Sequence, residues 1–127
     1  MLLIEDTMTN SDIFPENTRE ISRRKADAAP EIIDAWRKFS QVALKEGAIP
    51  AKTKQLIAIA VAHVTQCPYC IKAHVQQALK MGVTEQEIME AVWIAAEMRA
   101  GAAYAHGTIA MEEILKNSTS ADGTPTR

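Results

Sequence analysis

Pro30, Pro50 and Pro68 punctuate the middle of this 127-residue chain, and the stretches they open repeat apolar residues at helical steps. A proline has no N–H to donate, and its ring collides with the carbonyl four residues earlier. Each of the three can therefore begin a helix or break one, but cannot sit quietly inside it. From Pro30 the apolar positions are Ile33, Trp36, Phe39, Val42 and Ala43, a helical stripe that Gly47 is expected to end. From Pro50 they are Leu56, Ile57, Ile59, Ala60, Val61 and Val64, apolar around most of the circumference, as befits a central helix or one in a subunit contact. Pro68 interrupts that run, and a new helix follows to Met81 and Gly82.

Thr84 with Glu87 three residues later forms the signature of a capping box, ahead of Ile88, Val92, Ala95, Ala96 and Met98. Gly101 is expected to break this helix. A last one then carries Ala102, Tyr104, Ala105, Ile109, Ile114 and Leu115. A short helix over Ile21 to Ala29 is expected near the start. Strand-like alternation is absent, and Ala, Ile, Leu, Met, Glu and Lys outnumber the β-branched and aromatic residues that favour sheet. The fold class is all-α, a helical bundle of about five or six helices with short loops. One domain over residues 19–117 is expected between flexible segments at 1–18 and 118–127.

A net charge of -2 supplies no basic field for a phosphate backbone, so nucleic acid is not expected as a partner. The opening MLLIEDTMTN lacks the parts of a signal peptide, and the apolar run from Leu56 to His63 is too short to span a bilayer. No membrane partner is expected, and the location expected is cytoplasmic. In that reducing compartment a chain with two cysteines, three residues apart, has no structural disulfide framework. The pair is better read as catalytic or metal-binding.

The pair stands in CPYCIKAH, residues 67–74. With Pro68 as the first helical residue, Cys67 is the cap and Cys70 lies in the first turn. Both then sit beside unpaired N–H groups and the positive end of the helix dipole, which favour thiolate over thiol. The spacing lets the two sulfurs meet. His74, one turn beyond Cys70 on the same face, is placed to take or return a thiol proton.

Two other readings stand beside the redox couple. The cysteines are small and readily buried, and can be inert filler. Alternatively His63, Cys67, Cys70 and His74 spell HxxxCxxCxxxH, four zinc-compatible ligands. Along one helix, however, they span roughly 16 Å at ~1.5 Å per residue, whereas zinc wants each ligand within about 2.3 Å. The reading adopted has no metal.

CPYC also occurs in glutaredoxins, but there it follows a strand, and KTKQLIAIAVAHVTQ reads as helix. The stretch from KTKQLIAIA through CPYCIKAH to GVTEQEIMEA instead closely resembles the carboxymuconolactone decarboxylase and alkylhydroperoxidase D family, over roughly residues 45 to 110. The resemblance implies an alkylhydroperoxidase-D-like helical fold and homo-oligomers, often trimers or hexamers. In members with the cysteine pair it implies peroxide reduction, with no organic cofactor. It makes Cys70 the residue that attacks the hydroperoxide and Cys67 the one that closes the disulfide. An external dithiol then resets the pair.

Two positions depart from the family pattern. The family's relay glutamate, twelve residues before the first cysteine, is Gln55 here, and an amide cannot accept a proton. The histidine that studied members carry between the cysteines is Tyr69. Gln55, His63 and Tyr69 are expected to line the site. Glu46 and Glu97 are candidate replacement carboxylates, while His106 is read as structural or at a subunit contact, and Trp93 as core or interface.

The function expected is a thiol peroxidase acting through Cys67, Cys70 and His74. The alternative is a family member that forms the disulfide without efficient peroxide turnover, as a redox sensor or small-molecule binder. A lactone decarboxylase, against which the presence of both cysteines argues, and a zinc-binding module stand further back.

Overall fold

A computed structural model describes residues 13–118 and residue 123. The expectations for residues 1–12, 119–122 and 124–127 lie outside these. The described residues form five helices and no strand: α1 (Arg19–Ala28), α2 (Pro30–Leu44), α3 (Ala51–Thr65), α4 (Pro68–Lys80) and α5 (Glu85–Asn117). None of them is long and apolar enough to cross a membrane.

Local chemistry sets most of the boundaries. Thr18 caps α1 by accepting from the Ile21 N–H at 3.2 Å. Pro30 opens α2, which ends at Leu44, three residues before Gly47. The Lys54 ammonium takes over the exposed carbonyls there, at 3.0 Å from Ala43 O and 2.8 Å from Lys45 O. Pro50 is the cap of α3 and not its first residue. Because a proline cannot cap with its side chain, the Glu46 carboxylate accepts from the Ala51 N–H instead, at 2.7 Å.

Two turns of the same type bracket α4. After α3, Gln66 adopts φ 56° and ψ 45°; its N–H bonds His63 O, and that of Cys67 bonds Ala62 O. After α4, Gly82 has φ 82°; its N–H bonds Leu79 O, and that of Val83 bonds Ala78 O. Both are Schellman turns, in which a left-handed residue lets the chain reverse while the last carbonyls stay paired. The second also buries Val83 against Ala78.

These reversals lay α3 against both α4 and α5. The core between them contains Ile59 at 0% exposure, with Ala62, Ala78, Val83, Ile88, Ala91 and Ala95. Alanine at four of these positions lets the helix axes approach closely. Leu56, Val75 and Val92 pack around the rim.

One boundary corrects the sequence reading: α5 runs unbroken through Gly101. A glycine inside a helix costs about 1 kcal/mol relative to alanine, but it keeps its N–H and takes helical dihedrals. With Ala100, Ala102 and Ala103 around it, propensity carries the helix on. Trp93 is also no part of this chain's core, being 70% exposed.

The start of α5 has both halves of the capping box. Thr84 Oγ1 accepts from the Glu87 N–H at 3.2 Å, and Glu87 Oε1 accepts from the Thr84 N–H at 3.0 Å. The Thr84 N–H and then its hydroxyl hold the Glu87 carboxyl below its ordinary value of 4.5, and Lys52 adds a smaller attraction. A depressed folded-state value means that this stabilisation is present above the ordinary value and is lost as pH falls through the lowered one. Thr84→Ala is expected to cost about 1 kcal/mol. Thermal melting should show the deficit at pH 7 and a smaller one in acid. An equal deficit at both would show that the bond from the Thr84 hydroxyl to the Glu87 carboxylate, 2.9 Å long, contributes nothing.

Candidate active site

The turn after α3 determines where the cysteines stand. Cys67, with φ -100° and ψ 99°, is the cap of α4, Pro68 its first residue, and Cys70 lies in its first turn. Cys67 Sγ accepts from the Cys70 N–H at 3.2 Å, as an N-cap side chain does. The two cysteines are joined by a disulfide, their Cα atoms 5.3 Å apart. Both are half-buried.

His74 follows Cys70 by one turn, so residues 67, 70 and 74 share one face of α4. That face turns toward α3. His74 Nδ1 lies 2.9 Å from Oε1 of Gln55, which is 5% exposed and is the buried polar residue among those described. The structure thus brings Gln55 to His74, across nineteen positions of sequence.

His63 is both packed and at a surface hollow. Its Nδ1 lies 2.8 Å from Ile59 O, and because a carbonyl only accepts, that nitrogen carries the proton. With Gln66, Pro68, Ile71 and Lys72 it lines a hollow of ≈ 510 Å³ on one flank of the cysteine turn.

Tyr69 departs from the Gln55–His74 face. It lies about 100° around the helix from Cys70, and its hydroxyl donates to Pro15 O at 2.7 Å. The Phe14 ring meets it edge-on, centroids 6.3 Å apart. Together with Pro68, Lys72 and Gln76 these residues wall a second groove of ≈ 720 Å³. Sequence reasoning missed this contact. Its one available signal was Phe14–Pro15, an aromatic and a proline in an otherwise polar stretch.

Neither candidate replacement carboxylate has a bond to His74. Glu46 is committed to capping α3, and Glu97 lies on an exposed part of α5 beside Gly101. His106 is exposed on the same helix. Among the described residues no group of three or more His, Cys, Asp and Glu side chains is gathered as a metal site.

The model of the carboxymuconolactone decarboxylase family matches residues 30–113, from the first residue of α2 into the last turns of α5, including Gln55, His63, Cys67, Tyr69, Cys70 and His74. The chain belongs to the carboxymuconolactone decarboxylase family. Among its relatives is an uncharacterised protein encoded in the cox locus of Paracoccus denitrificans, 53% identical over 100 residues, or 72% of this chain and 90% of the relative. An uncharacterised protein of Cupriavidus necator is 33% identical over 90 residues, 69% of this chain and 80% of that one. A carboxymuconolactone decarboxylase family protein from Legionella pneumophila, known from its crystal structure, superposes with a TM-score of 0.60 at 36% identity, over 69% of this chain and 81% of that one. A protein from Methanobacterium thermoautotrophicum gives a TM-score of 0.63 at 31% identity, over 65% and 93% of the two chains. The all-α fold and the family named by the CxxC resemblance are therefore established.

Gln66 holds a left-handed backbone that side chains adopt at a cost. Gln66→Gly is expected to stabilise the turn by about 0.5–1 kcal/mol, read as a higher melting temperature of the oxidised protein. A lower one would mean that the Gln66 side chain supports the hollow beside His63.

Proposed function

We propose that this family member is a thiol peroxidase that reduces hydroperoxides with Cys67 and Cys70. The observation that carries the reading is the disulfide at the start of α4, with His74 one turn further along the same face. The Cys70 thiolate attacks the outer oxygen of a hydroperoxide, the O–O bond breaks, and the alkoxide takes a proton to leave as an alcohol. Cys70 is then a sulfenic acid. Cys67 attacks its sulfur, the disulfide forms, and water is released. An external dithiol exchanges with the disulfide, becoming oxidised itself and restoring two thiols. His74 handles the proton that leaves Cys70 and reaches the alkoxide.

The reading includes a homo-oligomer, a trimer or hexamer. It is supported by apolar side chains that one chain leaves uncovered. On α2 these are Ile32, at 74% exposure, with Trp36, Phe39 and Val42. On α5 they are Trp93, Ile94 and Met98, then Tyr104 at 89% and Ile109. Contiguous faces of this kind mark association surfaces. Light scattering is expected to give a multiple of 13.9 kDa corresponding to three or six chains. A monomer at micromolar concentration would remove this part of the proposal.

Gln55 favours a second reading, in which the pair closes to a disulfide as a sensor and turns over peroxide poorly. An amide cannot relay a proton as the family's glutamate does. Stopped-flow mixing of reduced protein with cumene hydroperoxide separates the two. The peroxidase reading expects loss of two thiols per chain within seconds. In Cys70→Ser the remaining thiol should survive. Thiols that persist for minutes in the unaltered protein would favour the sensor.

A further inference from the structure

We propose that Gln55 is a positioning residue that fixes the tautomer of His74, so that the imidazole exchanges protons at the cysteine site through Nε2 alone. The consequence for catalysis rests on the thiol-peroxidase reading; the tautomer assignment does not.

The geometry has few degrees of freedom. Gln55 lies on the core face of α3, in line with Ile59 and Ala62, and its side chain is buried. A buried amide oxygen needs a donor. His74 Nδ1, at 2.9 Å, is the group that reaches it. The amide NH2 has no acceptor among the described residues, yet none of their buried side-chain nitrogens or oxygens lacks a partner. The NH2 therefore keeps contact with solvent while the oxygen faces the ring.

An amide oxygen only accepts, so Nδ1 carries the proton. A neutral imidazole has one N–H, which leaves Nε2 as its lone pair. Free histidine in water favours the opposite tautomer, so the bond to Gln55 reverses the ring's default.

The difference from a carboxylate partner is chemical. A carboxylate can take the second proton from Nδ1 and pass it on. The Gln55 oxygen cannot, so the proton that Nε2 receives from the Cys70 thiol must leave through Nε2 to the departing alkoxide. One nitrogen serves as base and then as acid, and the proton count closes without a further group.

The three histidines of the chain supply their own references. The His63 Nδ1–H is held by the Ile59 carbonyl, independently of Gln55, and His106 is exposed on α5. Long-range 1H–15N correlation spectra of 15N-histidine-labelled protein, at a pH where the rings are neutral, read each tautomer without any peroxide present. In the unaltered protein His74 should match His63 and show Nδ1–H, while His106 shows mainly Nε2–H. In Gln55→Met, of similar length but with no acceptor, the His74 pattern should move to Nε2–H and that of His63 should stay. Gln55→Glu keeps an acceptor oxygen and should keep the Nδ1–H pattern.

Alkylation of Cys70 by iodoacetamide should slow about tenfold in Gln55→Met and recover in Gln55→Glu. Nε2–H on His74 in the unaltered protein overturns the proposal, as does a His74 pattern unmoved in Gln55→Met. A tautomer that moves while alkylation stays the same overturns the positioning role. If the spectra come out as expected but peroxide is not consumed, the peroxidase reading fails and the tautomer assignment stands.

Discussion

Pro68 cannot be accommodated within a helix that begins at Ala51, and the reversal it enforces underlies the rest of the site. Because α3 must stop, Gln66 takes the left-handed cap, the Cys67 N–H turns back to Ala62, and α4 starts at a set angle against α3. That angle puts Gln55 opposite His74 and leaves Cys67 and Cys70 in the opening turn, half open to solvent. The second turn, at Gly82, returns the chain so that α5 also packs against α3. The site is in this sense a product of two helix ends.

Such a construction needs little core. The buried apolar residues are few and mostly small, and α2 touches α3 at few points. Polar devices support the periphery: the Lys54 ammonium at the end of α2, the Glu46 cap on α3 and the Tyr69 hydroxyl on Pro15. The surface ion pairs, such as Arg23 with Glu20 and Asp27, are exposed and add little. The apolar residues that the sequence spends on α2 and on the second half of α5 remain on the outside. This imbalance is the physical ground for expecting a larger assembly, because one chain does not bury what its pattern provides.

Much of the fold was legible because its signals are local. The capping box at Thr84 and Glu87, the stop at Gly82, and the prolines at positions 30 and 68 each act within one helical turn, and each stands where periodicity suggested. Gly101 failed as a signal because propensity there is weak and the neighbouring alanines outweigh it. Trp93, expected in the core or at an interface, is uncovered in the single chain. An apolar stripe tells which residues seek cover but not whether this chain provides it. Tyr69 was read as part of the pocket from its place between the cysteines, whereas neighbouring residues on a helix diverge by about 100°, and its partners are Phe14 and Pro15.

What the sequence determined by itself was the helical class, the family, and the close approach of two thiols, since all of these depend on spacing along the chain and on single-turn geometry. It also marked Gln55 as a departure. Only the tertiary structure decided that this glutamine meets His74, that Glu46 is occupied elsewhere and that Tyr69 turns to the N-terminal segment. The reason lies in range. A cap or a CxxC pair acts between residues a turn apart, whereas a bond between residues 55 and 74 exists only after two helices have packed, and no periodicity in the sequence encodes the orientation of an amide.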